Sequence, residues 1–263
     1  MRRHSLYGGG GGGGLDPRTV AYLTATGITD TTIANAINTK ILAKDAAGLT
    51  SLDICDYPMK GGTYATCSYN LVNPAKNQLS YYYPYGNTLT VDAYGMACTD
   101  SGNFADTGCY LTDLPLNSVY YAFYSRTNDF TAPQIEMGVG DVNTYSWLAI
   151  VWDSRTWYGI NDGGAALNYT PSTTLGCWAI SRIASNLTIL YHNGIEVARN
   201  TDASTRSQVA TIWLFNAWGR RNCAWGSTKQ CANAKVGYGH TAQQALDDYT
   251  IEQAFQTALG ANV

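Results

Sequence analysis

The sequence predicts an all-β fold, a sandwich of two sheets with a short helix at each end. The 263 residues include 20 Tyr, 7 Trp and 27 Gly, a mixture typical of strands joined by tight turns. From about residue 64, short runs of alternating or wholly apolar character are separated by Gly, Asn, Asp and Pro. Hydrophobic residues make up 45% of the chain, which is enough for a sizeable core.

Residues 15–50 predict an N-terminal helical segment. Ile33, Ile37 and Ile41 recur at helical spacing, with Asp30 placed to cap the start and Gly48 to end the helix. The apolar stripe is narrow, so we expect this helix to pack against the main domain or against another copy of the chain.

Residues 51–263 predict the sandwich itself. Alternate residues from Val119 to Tyr124 face opposite sides and both sides are bulky, which indicates a strand inside a two-sheet stack. Asn193-Gly194 lies between two apolar runs and predicts a two-residue hairpin turn. At the end of the chain, Thr241 and Gln244 form a capping-box pattern that opens a helix.

Composition excludes several classes of function. The net charge of -3, with only 13% charged residues, predicts no nucleic-acid partner. We find neither an apolar run long enough for a membrane span nor a secretory leader, so no membrane association is expected. The seven cysteines lack metal-binding spacing. Cys223 and Cys231 flank a short loop and could bridge when oxidised, although buried thiols are the favoured interpretation.

The second half of the chain resembles a known family. The order "CWAISRIASNLTILYHNGIEVA", "ATIWLFNAWGR" and "AKVGYGHTAQQALDDYTIEQAFQTALG" resembles the concanavalin A-like, laminin-G-type jelly-roll modules of tailed-phage virion proteins. The residues that carry the resemblance are Trp178, Ser181, Arg182, Leu190, Tyr191, Asn193, Gly194, Phe255, Gln256, Thr257, Leu259 and Gly260. It extends from about residue 175 to the end, and back to 119 more weakly. Residues 52–117 have no counterpart and are interpreted as further strands of the same sandwich.

The resemblance implies a non-enzymatic structural protein of the virion, of head-fibre, decoration or tail-fibre type, assembled in the host cytoplasm. Its implied partners are other capsid or tail proteins and further copies of itself, with a trimer expected. A free carbohydrate-binding lectin and a glycan-cleaving enzyme are the alternatives. The lectin would call for a secretion signal and paired cysteines, which we do not find.

The N-terminus predicts an attachment segment at 1–14. Seven consecutive glycines, Gly8 to Gly14, cannot nucleate a fold and are interpreted as a tether. The residues before them, Arg2, Arg3, Leu6 and Tyr7, are interpreted as a peg that docks on another virion protein. A solvent-exposed tail is the alternative.

No catalytic residue, cofactor or metal site is predicted. Related glucanases carry acidic residues at alternate strand positions, and that triplet is missing. Glu136 and Asp141 have an odd separation, and Asp153 and Asp162 are interpreted as turn formers. If calcium binds, Asp141, Asp153 or Asp162 would be its ligands.

Two aromatic segments are candidates for binding glycans, because aromatic rings stack on sugar faces. The first is a loop with Trp218, Arg220, Arg221 and Trp225. The second contains Tyr81, Tyr82, Tyr83 and Tyr85. These side chains could equally pin a long loop or cover a subunit contact, since Tyr and Trp are also enriched at protein interfaces.

Overall fold

Local signals in the chain start and stop each helix. Asp16 caps the first helix and its side chain accepts a hydrogen bond from the Arg18 backbone N–H. We used a computed structural model, which describes residues 14–83, 89–99, 102–140, 145–162, 166–205, 209–218 and 225–263. Its four α-helices are α1 (Pro17–Thr26), α2 (Thr31–Ala46), α3 (Tyr64–Cys67) and α4 (Ala242–Ala258), and a 3-10 turn spans Leu111–Asp113.

Sixteen strands are assigned within these residues. They are β1 (Asp53–Tyr57), β2 (Ser80–Tyr82), β3 (Leu89–Val91), β4 (Met96–Cys98), β5 (Phe104–Tyr110), β6 (Val119–Ser125), β7 (Met137–Gly140), β8 (Tyr145–Ala149), β9 (Thr156–Asp162), β10 (Ala166–Tyr169), β11 (Gly176–Ala184), β12 (Leu187–His192), β13 (Ile195–Asn200), β14 (Thr211–Leu214), β15 (Ala217–Trp218) and β16 (Cys231–Gly237).

The strands form two sheets. Sheet A has the order β13-β12-β11-β6-β16-β4-β3, with β1 also paired to β16. Sheet B has the order β10-β9-β8-β7-β14-β5-β2, with β15 also paired to β7. The assigned strand pairs are antiparallel except for β15 with β7. The all-β sandwich predicted from composition and strand spacing is therefore confirmed.

The core lies between the two sheets and uses one side of each strand. On β6, Val119, Tyr121 and Phe123 belong to this core, and the Phe123 ring meets Phe215 edge-on at 5.8 Å. The alternate residues of β6 form a second apolar cluster with Ala245 of α4. The predicted alternation is correct, and the bulk on the second face of the strand is covered by a helix.

The N-terminal segment contains two helices where the sequence analysis expected one. Gly27 ends α1 in the left-handed conformation at φ 70°, which a glycine adopts without strain. Asp30 then caps α2 by accepting from the backbone N–H groups of Thr32 and Ile33, as predicted. Phe255 of α4 joins Ile37 and Ile41 in an apolar cluster, so α2 packs on the C-terminal helix.

A layer of buried charges joins α2 and α4 to the outer face of sheet A. This charge layer consists of Lys40, Lys44, Asp53, Asp56, Lys235, Asp248 and Glu252, all buried. Lys40 Nζ lies 2.9 Å from Asp56 and 3.0 Å from Glu252. Lys235 Nζ lies 2.7 Å from Asp248. Because each charge has an opposite partner, the layer can be buried without leaving an isolated ion.

Electrostatics in the charge layer hold Asp56 and Asp248 ionised. Burial alone would raise the pKa of Asp56, but Lys40 and Lys44 outweigh it and lower that pKa to about 2. Burial likewise opposes ionisation of Asp248, and Lys235 with Lys44 reverses the effect, so its pKa falls well below its usual value. These carboxylates therefore bind the helices to the sheet as anions.

Other local predictions can be compared with the structure. The Asn193-Gly194 hairpin is confirmed, since both residues have positive φ, at 51° and 73°. The Thr241–Gln244 capping box is confirmed at the start of α4. Cys231 is a buried thiol, whereas Cys223 lies outside the described residues. In the part of the chain that the structure describes, no helix combines the length and apolarity that a membrane crossing needs.

Candidate functional site

The outer face of sheet B carries an aromatic stack formed by Tyr82, Phe104 and Trp213. Each of these residues alternates along its strand with residues that pack in the core, so its ring points away from the core. The Tyr82 and Phe104 rings are 4.8 Å apart and nearly parallel at 13°. The Phe104 and Trp213 rings are 3.6 Å apart at 7°. The three strands β2, β5 and β14 thus contribute one ring each to a continuous stack.

Exposure differs along the aromatic stack. Tyr82 is 50% exposed, whereas Phe104 and Trp213 are 9% and 7% exposed. Since Phe104 lies between the other two rings, both faces of its ring are covered by Tyr82 and Trp213. The accessible ring is therefore that of Tyr82, on β2, which is an edge strand of sheet B.

Polar groups fix the inner end of the aromatic stack. The Trp213 Nε1–H donates to Thr211 Oγ1 at 3.2 Å, and Thr211 Oγ1 donates to Asp106 Oδ2 at 2.9 Å. Asp106 Oδ1 also accepts from the Gly108 backbone N–H. This chain of hydrogen bonds orients the indole, and the stacked rings then orient Tyr82.

Gly138 separates the aromatic stack from a second aromatic group. It is the cross-strand partner of Trp213 on one side and of Trp147 on the other. Its φ is 149°, and an added Cβ would lie 2.4 Å from the Ser146 carbonyl oxygen and from Trp147 Cβ. A side chain would therefore push β7 and β8 apart, so glycine is required here.

The second group is a tryptophan cluster made of Trp147, Trp152, Trp157 and Trp225. Trp152 is its centre, with ring centroids at 4.3 Å from Trp157, 5.2 Å from Trp225 and 6.0 Å from Trp147. Trp147 is fully buried and the other three are half-buried. The cluster packs with Ile135, Ala149 and Ala217, apart from the main core.

A buried ion pair holds the segment that carries Trp225. Lys229 Nζ lies 3.2 Å from Glu136 Oε1 and donates to Gln134 at 2.8 Å, and Ser227 Oγ donates to Glu136 at 3.1 Å. Burial raises the pKa of Glu136, and Lys229 opposes this shift. The Ile135 N–H donates to the Trp225 carbonyl at 2.7 Å. These contacts attach the segment to the β7 side of sheet B.

The structure places the sequence-predicted glycan residues as follows. Trp225 lies in the tryptophan cluster, where its ring packs its own segment onto the protein. Of the two interpretations given for this residue, glycan binding and the pinning of a loop, this position agrees with the second. Trp218 ends β15 and is paired with Val139. Arg220, Arg221 and Tyr85 lie outside the described residues, as do the predicted peg residues Arg2, Arg3, Leu6 and Tyr7.

The second predicted segment divides between the two sides of β2. Tyr81 packs against the core, and its Oη donates to the Tyr64 carbonyl at 3.0 Å. Tyr82 joins the aromatic stack, and Tyr83, just after β2, is 37% exposed. The sequence analysis missed Phe104 and Trp213. Both alternate with core residues in the structure, but Phe and Trp are themselves apolar, so the patterns "NFADTGC" and "TIWLF" do not mark them as outward-facing.

Asp162, which was interpreted as a turn former, has a tertiary partner, and the residues that follow it, 163–165, lie outside the described residues. Asp162 is the last residue of β9, is fully buried and forms an ion pair with Arg182. The guanidinium also donates to the carbonyls of Ile160, Ala184 and Ser185. The carboxylate of Asp162 is therefore held by a partner 20 residues away in sequence, a contact that local sequence signals do not show. Asp153 is exposed and lies 3.7 Å from Arg155, and Asp141 lies outside the described residues.

Within the described ranges, no group of three or more His, Cys, Asp or Glu side chains is arranged to hold a metal ion. What the site offers chemically is one accessible tyrosine ring on β2, a hydrogen-bonded Asp106–Thr211 pair that holds Trp213 at the other end of the aromatic stack, and the tryptophan cluster on the far side of Gly138. Such a surface has the shape to stack against flat, partly apolar ligands.

Comparisons with known proteins agree with the fold. No protein-family model matches the chain, and no match was found among the curated proteins. Domain 4 of an extracellular arabinanase from Geobacillus stearothermophilus, solved in complex with arabinotriose, is similar at 16% identity and a TM-score of 0.50, over 75% of this chain and 98% of that one. The binding domain of botulinum neurotoxin serotype D is similar at 9% identity and a TM-score of 0.52, over 76% of this chain.

A third similar structure is the Trypanosoma rangeli sialidase, at 8% identity and a TM-score of 0.54 over 83% of this chain. The chain spans 52% of the neurotoxin chain and 38% of the sialidase chain. At such low identities these likenesses show the fold, a jelly-roll-type β-sandwich with helices at its ends, and they leave the function open.

Proposed function

We propose that this chain is a non-catalytic glycan-binding module, displayed on a phage virion and attached there through residues 1–14. The observation that supports binding is the aromatic stack on the outer face of sheet B, which ends in the half-exposed ring of Tyr82. Glycan ligands suit this surface because the C–H face of a pyranose or furanose ring packs on an aromatic face.

Preorganisation supports the same proposal. Phe104 and Trp213 hold the Tyr82 ring from behind, and the Trp213 indole is in turn held by Thr211 and Asp106. A ligand that stacks on Tyr82 therefore orders few additional side chains, which keeps the entropic cost of binding small. The similar arabinanase domain was solved with a bound oligosaccharide, which makes a sugar ligand the first class to test.

The absence of catalysis is part of the proposal. Most glycoside hydrolases use two carboxyl groups that flank the scissile bond. Glu136, Asp162, Asp56 and Asp248 are buried and engaged with cationic side chains, so they cannot serve an external substrate. Asp106 beside the stack is engaged with Thr211.

The virion role rests on the resemblance of residues 175–263 to phage jelly-roll modules and on the glycine tether before α1. In this proposal the N-terminal segment docks on a capsid or tail protein, copies of the chain associate as a homo-oligomer, and sheet B faces the host surface. Deleting residues 1–14 should leave a folded, soluble protein that is missing from purified particles. Normal incorporation of the truncated protein would contradict the attachment.

The binding experiment compares Tyr82→Ala with Tyr94→Ala on an array of bacterial surface glycans, followed by titration of the best ligand. Tyr94 is a matched control because it is 42% exposed and lies in the turn between β3 and β4 of sheet A. We expect Tyr82→Ala to weaken binding about fivefold, since a stacking contact is worth roughly 1 kcal/mol, and Tyr94→Ala to leave it unchanged.

Three results would decide against this proposal. An equal loss of glycan affinity in both variants would show that the binding site is not at the aromatic stack. Release of new reducing ends from a bound polysaccharide would make the protein an enzyme. Dissociation of an oligomer by Tyr82→Ala, seen by size-exclusion chromatography, would show that the edge strand β2 forms a subunit contact instead.

A further inference from the structure

Lys60 and Gln256 meet in the interior, where the segment after β1 contacts the helix α4. Lys60 Nζ donates to Gln256 Oε1 at 2.9 Å, and both residues are fully buried. We propose that these two side chains join in an intramolecular isopeptide bond, which the folded protein forms without another enzyme. This proposal is independent of the glycan-binding function.

A carboxylate lies on the other side of the same amide. Gln256 Nε2 donates to Glu252 Oε1 at 2.7 Å, and Glu252, one helical turn earlier on α4, is also buried. Burial opposes ionisation of Glu252, but Lys40 and Lys235 outweigh it and lower its pKa. The amide is therefore held between an amine that can attack it and a carboxylate that can carry a proton, so the reacting groups need no further association.

Lys60 differs from the buried lysines of the charge layer. Those lysines each lie within hydrogen-bond distance of a carboxylate. Lys60 Nζ instead donates to two uncharged oxygens, Gln256 Oε1 and the Tyr94 carbonyl oxygen, both at 2.9 Å. Because an uncharged acceptor stabilises an ammonium less than a carboxylate does, Lys60 loses its proton more readily than the other buried lysines.

The electrostatic surroundings of Lys60 favour its neutral form. Burial lowers the pKa of Lys60 to about 8, although Glu252 opposes this shift. Arg126 and Lys40 add to the lowering, and Cys67 opposes it. About a tenth of the Lys60 side chains are therefore uncharged at pH 7, and most are uncharged at pH 9. The uncharged amine has the free electron pair that an attack on an amide requires.

The reaction exchanges one amide for another and releases ammonia. The Lys60 Nζ electron pair attacks Gln256 Cδ, and the π electrons of the C=O bond move onto the oxygen. A proton passes from Nζ to the Glu252 carboxylate and from there to Nε2. The bond between Cδ and Nε2 then breaks, ammonia leaves and the C=O bond re-forms. An amine and a primary amide thus become a secondary amide and ammonia, with no oxidant or cofactor consumed.

The bond would close a loop that contains most of the sandwich. All strands from β2 to β16 lie between Lys60 and Gln256 in the sequence. The link would also keep α4 attached to the segment after β1 when the charge layer is weakened. Long closed loops restrict the unfolded chain most, so the linked protein should be the more stable form.

The test measures the intact mass and the tryptic peptides of the full-length protein after incubation at pH 9. Since the bond removes the cleavage site at Lys60, trypsin should release residues 45–76 linked to residues 236–263. Lys60→Arg keeps the positive charge but supplies no nucleophilic amine, and Glu252→Gln removes the carboxylate. The matched control is Gln253→Ala, at a glutamine of α4 that donates to Asn262 at 3.5 Å.

We expect the wild type and Gln253→Ala to weigh about 17 Da less than their sequences, the mass of ammonia, and to give the linked peptide. Lys60→Arg should show neither, and Glu252→Gln should form the link about a hundredfold more slowly. An unchanged wild-type mass with complete cleavage after Lys60 would overturn the proposal, as would a link from Lys60 to a carboxyl group with loss of water. The wild-type map decides the question even if a variant fails to fold.

Discussion

The two outer faces of the sandwich are covered in different ways. On sheet A, α2 and α4 lie over the strands, and the contact is made through the charge layer of Lys40, Lys44, Lys235 and their acidic partners. On sheet B, the outer face carries the aromatic stack and the tryptophan cluster, and Tyr82 remains half exposed. Charges thus lie where the protein contacts itself, and aromatic rings lie where a ligand could reach them.

This difference runs against the usual expectation for both residue types. Lysine and acidic residues are normally exposed to solvent, and large aromatic residues are normally buried in the core. A buried charge is tolerated only with a partner in place, so the charge layer ties α2, α4, β1 and β16 into one arrangement. Leaving an aromatic ring exposed is unfavourable, so the half-exposed Tyr82 at the end of the aromatic stack marks a surface suited to recognition.

The largest effect should come from breaking the charge layer. Lys235→Met removes the cation that faces both Asp248 and Glu252, at 2.7 and 3.1 Å, and leaves their charges buried with less compensation. We expect the free energy of unfolding to fall by about 3–5 kcal/mol, measured by urea denaturation. Lys76→Met, at an exposed lysine, is the control and should change stability by less than about 0.5 kcal/mol. Equal effects would mean that the layer contributes no more than a surface charge.

Acidic pH should weaken the charge layer that holds α2 and α4 on sheet A. The pKa of Asp56 is about 2 in the folded protein against 3.8 for the free side chain, so the unfolded chain binds protons more readily. Its stabilising contribution is present above about pH 4 and is lost as the pH falls toward 2, by about 2 kcal/mol in all.

The pH effect is measured as the free energy of unfolding between pH 5 and pH 2. Asp56→Asn should flatten the curve by up to about 1.4 kcal/mol per pH unit, whereas Asp153→Asn at an exposed site should leave the slope unchanged. Parallel curves for the wild type and Asp56→Asn would contradict the depressed pKa.

On the sheet B side, the tryptophan cluster should matter for stability more than the exposed ring does. Trp152→Ala removes the central ring of the cluster, and we expect a loss of about 2 kcal/mol, below the value for a fully buried tryptophan because Trp152 is only half-buried. Tyr82→Ala should cost less than about 1 kcal/mol. Thermal denaturation of both variants separates the packing role from the binding role, and a reversed order would undermine that division.

The smallest effect concerns how α4 begins. Thr241→Ala removes the side chain that accepts from the Gln244 N–H and should lower stability by about 1 kcal/mol. Thr250→Ala, on the exposed side of the same helix, should be neutral or slightly stabilising, since alanine favours a helix interior. If both variants behaved alike in urea denaturation, the capping box would not contribute to docking of the helix.

Features that depend on neighbours in sequence were predictable. The alternation on β6, the Asn193-Gly194 turn and the caps at Asp30 and Thr241 are each set by residues within a few positions, and the structure shows all of them. The break between α1 and α2 at Gly27 was missed, although a glycine followed by a capping Asp is the ordinary signal for it.

Features that depend on distant partners were not predictable. In "NTKILAKDA", Lys40 and Lys44 read as a solvated helix face, and only the positions of Asp56, Asp248 and Glu252 make them interior residues. The candidate site was predicted only in part for the same reason. The sequence marks Tyr82 as an exposed aromatic residue, but the rings that support it come from β5 and β14, about 20 and 130 positions later.

The pairing of β1 with β16 and the packing of α2 on α4 have a consequence for how the protein is made. A ribosome finishes α2 and β1 some 180 residues before it reaches β16 and α4, a delay of about 10–35 s at ordinary elongation rates. During that interval the early segment lacks β16, which pairs with β1, and α4, which packs on α2 and supplies Asp248 and Glu252 to its lysines. The emerging C-terminal helix therefore completes folding, and a nascent chain stalled before residue 231 should leave α2 and β1 more accessible to proteases than they are in the complete protein.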